Sequence, residues 1–539
     1  MEYDYIVVGA GSAGCVLAAR LSEDPTVNVL LLEAGPEDRS LWIHLPIGYG
    51  KTMWSSKYNW RFNTDPDPNM KGRQIYWPRG KTLGGSSSIN GLIYIRGQKE
   101  DYDQWASLGN QGWGAQDVLP YFIKSETNQR GASEYHGGDG PLKVSDIGAT
   151  HPLIESFIQG AEQIGVPRTD DFNGASQEGA GYYQLTTWKG WRCSTAVGYL
   201  KPARSRPNLT VKCLAHTTGV LVESGRAVGV TYRQNGIDHK ARIGSARGEV
   251  LLSAGAIQTP QLLQLSGIGP AALLQRHGIP VVADLPGVGE NLQDHLQVRI
   301  IYECTQPITT NDQLNSIFGQ IKMGLQWLFL RSGPLAVGIN QGGCFMRALP
   351  EESATPDIQF HVATLSADMA GGKVHAFSGF TMSICQLRPE SRGHIRIRSR
   401  DPLTPPEMQP NYLATDLDRR TVVAGLKAAR RIAQSPAMAP LIKREVKPGL
   451  ESDCDEALLD FARETGATIF HPSGTCKMGP ASDPMAVVDD RLRVRGVKSL
   501  RVIDCSAMPV LVSGNTNAGV IMMAEKAVDM IREDAALAA

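Results

Sequence analysis

The sequence predicts an α/β fold: a parallel, dinucleotide-binding layer joined to a second unit built on a mostly antiparallel sheet with helices. Two observations carry this expectation. The first 35 residues read as strand, glycine turn, helix and strand. From Thr305 to about Asp460 the composition shifts to strand-like runs separated by proline-rich turns, a different layer from the βαβ opening.

In the opening unit Tyr5–Val8 is an apolar strand, Gly9-Ala-Gly11-Ser-Ala-Gly14 a tight turn, and Cys15–Leu21 an apolar helix. A second strand, Val27–Leu32, ends at Glu33. Gly9 permits the turn, Gly11 lets a pyrophosphate approach the backbone, and Gly14 lets helix and strand pack closely. Ser12 and Ala13 fall at the helix N-terminus, where free N–H groups and the positive dipole end favour phosphate. Glu33, followed by Ala34, stands about 20 residues on, where a carboxylate accepts hydrogen bonds from a ribose diol. The strand–turn–helix context makes this far more specific than the glycine spacing alone.

Pro36–Tyr76 is rich in Trp, Pro, Asn and Asp and reads as a long excursion. Arg79 to Gly91 is a glycine–serine run (Gly84, Gly85, Ser87, Asn90, Gly91) able to press backbone against a flat or phosphorylated ligand. The Gly-Lys-Thr triplets at Gly50 and Gly80 are not triphosphate loops, because Leu45 and Ile75 stand where the upstream glycine is required. Ser194–Ala203 reads as a short helix, and β-type runs follow at Leu209–Leu214, Gly219–Tyr232 and Ala241–Leu252, with a turn at Glu223-Ser-Gly225. Val250–Ala256 repeats the logic of a buried strand ending in small residues, Ala254 among them, that let backbone touch a ligand.

Gln258–Leu265 is expected to be helical, with a break at Ser266–Gly269 and a further tight turn at Leu285–Gly289. Strands are expected at Ile358–Ala363, Phe380–Leu387 and His394–Ile397, and a helix at Asp416–Gln434. Gln313–Leu330 is apolar enough to suggest a membrane-facing helix, and the sequence reading prefers buried core or a wall of the substrate cavity. Near the end come His471-Pro-Ser-Gly-Thr-Cys476, a strand pair through Leu500–Asp504, the turn Ser513–Asn517, and a helix from about Ala518 to Ile531.

Composition excludes several classes. Basic and acidic residues number 54 each, so no strong field points to nucleic acid or to an anionic membrane surface. Nine scattered cysteines without a C-x-x-C pair argue against a disulfide framework or zinc ribbon and for a reducing compartment, the cytoplasm. There is no signal-like opening and no run of 18 apolar residues, which leaves only peripheral association with a membrane open. No G-x-S-x-G elbow occurs, and His471 with Cys476 has no second ligand pair, so neither serine hydrolysis nor a metal site is expected.

Taken together, the ordered motifs resemble the glucose-methanol-choline (GMC) family of flavin oxidoreductases over essentially the whole chain. The matching stretches are the N-terminal glycines through Glu33-Ala-Gly35, Gly80–Gly91, Gly255–Gly269, His471–Cys476, Arg501-Val-Ile-Asp504 and Gly514-Asn-Thr-Asn517. The nearest look is to bacterial choline-dehydrogenase-like and sorbose-dehydrogenase-like alcohol dehydrogenases. The resemblance implies a discontinuous, Rossmann-like FAD-binding domain from residues 1–155, 200–300 and 465–539, and an α+β substrate domain from 156–199 and 301–464. It implies FAD held by the glycine turn and Glu33, with Asn90, Gly91, Leu92 and Ile93 behind the isoalloxazine, Asp504 near the ribityl or pyrophosphate region, and Asn517 either contacting the cofactor or serving as a plain helix N-cap. Ile89 stands where some members carry a flavin-linking histidine, so non-covalent FAD is expected.

The family's catalytic pair maps onto His471 and Asn515, the latter a second histidine in other members. A neutral imidazole is suited to take an alcohol proton, and an amide to steady the alkoxide. The ten other histidines receive no catalytic role. The expected reaction oxidises a primary alcohol or polyol and passes electrons to a quinone or similar acceptor. The alternatives are an oxidase making hydrogen peroxide and an FAD-containing lyase without net redox.

Overall fold

The structure is a computed structural model that describes residues 2–537 apart from 149, 246 and 370. Five parallel strands form one sheet, in the order Leu209–Lys212, Val29–Leu32, Tyr5–Val8, Glu249–Leu252, Leu500–Val502. The two central strands of the opening unit, Tyr5–Val8 and Val29–Leu32, are buried at every position. That explains why they read as unbroken aliphatic runs instead of alternating: both faces of a parallel sheet are covered. Helix Ser12–Leu21 packs on the sheet and against helix Thr516–Leu537, and a meander of Ala215–Glu223, Arg226–Gln234 and Ile237–Ile243 also lies against the sheet. The Arg20 guanidinium joins the two helices through Glu525, which is fully buried and also accepts from the Tyr199 hydroxyl. The carboxyl ends of the parallel strands deliver Gly9, Glu33, Ser253 and Asp504 to one edge, where open α/β sheets bind their ligands.

The second sheet is antiparallel, in the order Ile442–Lys447, Leu296–Cys304, Gly379–Gln386, Ile358–Ala363, Asn340–Met346, Gly179–Tyr182. Its alternation is one-sided, as period-two side chains require. Val298, Ile300, Met382, Ile384, Phe360 and Val362 pack into a core with helices Pro152–Gln163 and Asp416–Ala433. The other face carries Gln297, Arg299, His361, Thr381 and Ser383 and looks onto the cavity described below.

Three expectations change. The strand pair through Leu500–Asp504 is a single strand, Leu500–Val502, preceded by isolated bridges at Val488–Val494 and Arg493–Arg501. The segment boundary expected at 300 falls inside strand Leu296–Cys304, which belongs to the antiparallel sheet. Helix Ile317–Leu330 is not buried core: only Met323 and Trp327 are buried, whereas Phe318 is 81% and Phe329 75% exposed. It touches the cavity through Gln320 and Met323 and turns its remaining apolar side chains to solvent. Composition cannot distinguish an apolar helix with a protein neighbour from one without.

Candidate active site and dinucleotide cradle

One cavity of about 1060 Å³ runs from the edge of the parallel sheet to the polar face of the antiparallel sheet. That exceeds the roughly 300–1,000 Å³ of an ordinary small-molecule pocket and accommodates a dinucleotide with a substrate beside it. Gly9, Gly11, Ser12, Ala13, Glu33, Ala34, Gly85, Asn90, Gly91, Leu92, Ile93, Ala254, Asp504 and Asn517 line it, and so do His471 and Asn515. Gly14, Gly84 and Ser87 do not.

The glycine turn divides its labour. A Cβ on Gly14 would lie 1.8 Å from the Gly9 carbonyl oxygen, so this glycine serves helix–strand packing. At Gly11 the nearest atom to a Cβ would be 3.9 Å away, leaving the backbone open to the cavity. Gly84 adopts φ +84° and donates its N–H to Ala10, while Gly85 rests so closely on Gly11 that a Cβ would come within 2.6 Å of its Cα. The glycine–serine run is thereby fixed onto the fingerprint turn. The Ser87 hydroxyl is used up internally, donating to the Gly84 carbonyl and meeting the Thr195 hydroxyl. Ser86 lines the cavity in its place.

Glu33 accepts from the backbone N–H groups of Ala10 (2.9 Å) and Gly35 (2.7 Å) and remains on the cavity wall. Burial pushes its carboxyl up to about 7, against the pull of those two donors and Lys81. Hydroxyl donors from a ribose diol would satisfy its remaining lone pairs. Asp504 accepts from Gly255 N–H (2.8 Å), the Thr259 hydroxyl (2.7 Å) and Ser506 N–H (2.8 Å), which holds the N-terminus of helix Gly255–Leu265 at the cavity. Gly255 has φ +86° and nothing within 4 Å of a Cβ, a second place where backbone lies open to a ligand. Asn90 is gripped by buried Arg192, which donates to both its side-chain oxygen (2.7 Å) and its carbonyl (2.8 Å). These open glycines and the cavity-facing carboxylate suit an FAD, whose phosphates need close backbone approach and whose ribose needs an acceptor.

At the other end the chain assembles a hydrogen-bonded row that sequence spacing concealed. The Asn515 Nδ2 lies 3.3 Å from His471 Nε2, and Asn515 Oδ1 accepts from Gln359 Nε2 at 3.4 Å. The His471 Nδ1 lies 3.0 Å from Nδ1 of His295, whose Nε2 lies 2.9 Å from the Leu387 carbonyl oxygen. A carbonyl only accepts, so His295 carries its proton on Nε2 and offers a lone pair at Nδ1. His471 must therefore carry its proton on Nδ1, leaving an Nε2 lone pair directed to Asn515 and the cavity. Burial first, then His295, His361 and Arg79, holds His471 well below its usual pKa, and burial brings His295 down to about 4. The neighbouring Asp294 fixes the backbone: it accepts from His471 N–H at 2.8 Å and from the hydroxyls of Tyr412 and Thr468. A neutral, preoriented imidazole beside an amide donor is equipped to remove a hydroxyl proton and hold the resulting oxygen.

His295, His361 and Arg299 were not picked out from the sequence. The first is 176 residues from its partner, and no local motif joins them. The alternation of strand Leu296–Cys304 marks Gln297 and Arg299 as facing the same way, but only the register across three strands puts them over the cavity.

Profiles described as GMC oxidoreductase match residues 3–297 and 389–524. The chain is 46% identical over 534 residues to "Alcohol dehydrogenase [acceptor]" of Pseudomonas putida, covering 98% of this chain and 95% of that protein. It is 45% identical to "Choline dehydrogenase, mitochondrial" of Mus musculus over 99% of this chain and 90% of that one. Among solved structures, pyridoxine 4-oxidase from Mesorbium loti superimposes with TM-score 0.89 at 30% identity, each chain covered to 99%. Formate oxidase of Aspergillus oryzae RIB40 gives 0.91 at 27%, covering 99% of this chain and 98% of that one.

Proposed function

The chain belongs to the GMC oxidoreductase family, and on that premise we propose an alcohol oxidation in which His471 removes the hydroxyl proton. The enzyme is an FAD-dependent oxidoreductase acting on CH–OH donors. The relatives named above are dehydrogenases and oxidases, and none of them supports the lyase alternative.

The observation that carries the mechanism is the His471 Nε2 lone pair, fixed by the His295 contact and set 3.3 Å from the Asn515 amide at the cavity wall. The substrate hydroxyl would bind between them, giving its proton to His471 Nε2 while Asn515 Nδ2 donates to the oxygen left behind. The proton already on His471 Nδ1 stays on the contact to His295, so the imidazolium is held in place as it forms. Bound FAD supplies the hydride acceptor. Helix Thr516–Leu537 begins at this wall, and its N-terminal dipole favours negative charge there by about 0.3–2 kcal/mol. Glu33, Ser12, Ala13 and the open backbone at Gly11 and Gly255 would hold the cofactor. We take it to be non-covalent because Ile89, an aliphatic side chain, lines the cavity where a flavin-linking histidine stands in other members. Anaerobic bleaching of the flavin absorbance by an alcohol, lost in His471→Ala with FAD retained, tests the reading; unchanged bleaching would remove the base.

The electron acceptor is proposed to be a quinone reached at a membrane surface. The exposed side chains of helix Ile317–Leu330 (Ile317, Phe318, Ile321, Leu325, Leu328, Phe329) recur at helical spacing as one stripe. Trp42 and Met369, also exposed, line the same cavity. No Asp or Glu occurs between Arg39 and Thr64 or between Gln313 and Pro350, whereas Lys51, Lys57, Lys322, Arg331 and Arg347 do. Lys51, Lys57 and Lys322 beside the apolar stripe suit an anionic lipid surface, whereas Arg347 is already paired with Glu178 at 3.5 Å. No helix among the described residues is long and apolar enough to cross a membrane.

A further inference from the structure

Within the alcohol-oxidising reading above, we propose that Arg299 is the counter-charge for a carboxylate on the substrate, so that the preferred alcohols are hydroxy acids. Arg299 sits in strand Leu296–Cys304, where it pairs with Ser383, which in turn pairs with His361. Side chains directly across neighbouring strands share a face, so guanidinium, hydroxyl and imidazole form one row on the cavity side of the sheet. The preceding row on the same face is Gln297, Cys385 and Gln359, and Gln359 touches Asn515. Two residues of an antiparallel strand cover about 7 Å, which is the distance by which the Arg299 row stands off from the row that meets the catalytic amide.

Three features of this row point to an anion. Arg299 has no carboxylate partner among the described residues; its Nε donates a long hydrogen bond, 3.4 Å, to the Gln297 amide oxygen. This half-buried cation on the cavity wall has no opposite charge to offset its partial loss of water, and a bound anion would supply one. Next to it, both ring nitrogens of His361 are without a hydrogen-bond partner although the residue is fully buried. Burial holds that imidazole near 3, so it is neutral and has one N–H to give. Finally, among the described residues the only carboxylates lining the cavity are Glu33 and Asp504, both at the ends of parallel strands in the dinucleotide cradle. A quaternary-ammonium alcohol would meet no opposite charge beside His471 and would face Arg299. A planar guanidinium, by contrast, fits a carboxylate with two parallel hydrogen bonds, and the Ser383 hydroxyl and His361 N–H flank it.

The test uses the FAD-loaded enzyme and matched alcohols: 4-(hydroxymethyl)benzoate against 4-methylbenzyl alcohol, 6-hydroxyhexanoate against 1-hexanol, and choline. The expected result is that each carboxylate bleaches the flavin at least about tenfold more efficiently than its neutral mate, with choline the slowest. Arg299→Met should lower efficiency on the hydroxy acids about 100-fold and leave the neutral alcohols within about threefold, and Arg299→Lys should recover part of the loss. Equal efficiency of acids and neutral alcohols, or equal losses on both in Arg299→Met, would overturn the assignment while leaving alcohol oxidation intact. If no alcohol bleaches the flavin, the catalytic reading fails and the carboxylate site is still decided by calorimetry with 4-methylbenzoate. Binding to wild type but not to Arg299→Met supports the site, and binding to both or to neither removes it.

Discussion

The Nδ1 atoms of His295 and His471 lie 3.0 Å apart, and the Leu387 carbonyl beyond His295 decides which of them holds the shared proton. Because the far end of this row is a pure acceptor, the direction of every hydrogen bond in it is fixed, and the lone pair emerges at His471 Nε2. His295 is therefore a positioning residue. Replacing His295 with Leu should cut the anaerobic reduction rate about 10–100-fold with FAD still bound, since the wrong tautomer becomes available to His471. His295→Gln, whose amide can both donate and accept, should recover part of the rate. A merely structural role for His295 would lower thermal stability in both variants without that ranking in rate.

At the reacting end, His471→Ala should slow flavin bleaching by about 10²–10⁴, the usual range for a lost general base. Asn515→Ala should cost about 10²–10³, by removal of the donor to the developing alkoxide. Stopped-flow reduction, with flavin content measured beside it, checks both. On the proposed mechanism the two groups would act on one oxygen, so the double variant should be slower than either single one by less than the product of their effects.

The pH dependence follows from the direction of the shifts. His295 is lowered to about 4, His361 to about 3 and His471 well below 6.5, in each case first by burial. A depressed folded-state pKa means that the neutral form is favoured on folding. The associated stability is fully present above pH 6.5 and is lost as pH falls toward 4 and 3. For His295 the shift corresponds to on the order of 3 kcal/mol. Because Glu33, raised to about 7, pulls the other way, the check is comparative: between pH 6.5 and 4 the denaturant midpoint should fall more in the wild type than in His295→Leu. The reduction rate should stay flat as pH falls from about 9 through 6.5, since a base already neutral has no proton to lose on that limb. A rise in rate centred near pH 6.5 would contradict the buried, neutral imidazole.

Much of the dinucleotide cradle was legible because it is local. Gly9, Gly11, Glu33 and their strands occupy one unbroken stretch in which spacing alone sets geometry. His471 and Asn515 became readable through motif resemblance, not through their chemistry. What stayed hidden depends on long-range register. Ser87 and Gly84 sit in a glycine–serine run that looks uniformly ligand-facing, yet the Thr195 contact and the Ala10 carbonyl claim them. Arg299 looks like any charged residue in an alternating strand until the antiparallel sheet sets it beside His361.

The Glu33 carboxyl, pushed up to about 7 by burial, gives a separate handle on cofactor binding. The anion would accept hydroxyls of a bound ribose, and the acid would give one of those positions to its own proton. FAD affinity of the apoprotein should weaken as pH drops from 8 to 6, and Glu33→Gln should weaken it about tenfold at pH 8 and flatten the dependence. Acid precipitation should release all the yellow cofactor into the supernatant, as non-covalent binding requires. Fluorescence titration with FAD reads the first two, and absorbance of the two fractions the third.

The rim of the cavity gives the last expectation. Burying each large apolar side chain of the Ile317–Leu330 stripe in lipid is worth about 1.5–3 kcal/mol, and each nearby cation about 1 kcal/mol on an anionic surface. The apolar stripe supplies the larger share of the binding, and the nearby cations add a preference for anionic lipid. The protein should therefore co-sediment with vesicles containing anionic phospholipid and bind neutral vesicles far less. Phe318→Glu with Phe329→Glu, at positions 81% and 75% exposed, should abolish sedimentation while leaving the fold and the reduction of a water-soluble dye unchanged, because neither side chain packs inside. Turnover with a long-chain quinone in those vesicles should fall in the same variant. Binding that survives the double substitution would move the membrane-facing surface elsewhere, and raising salt to about 1 M should weaken the interaction without eliminating its apolar part.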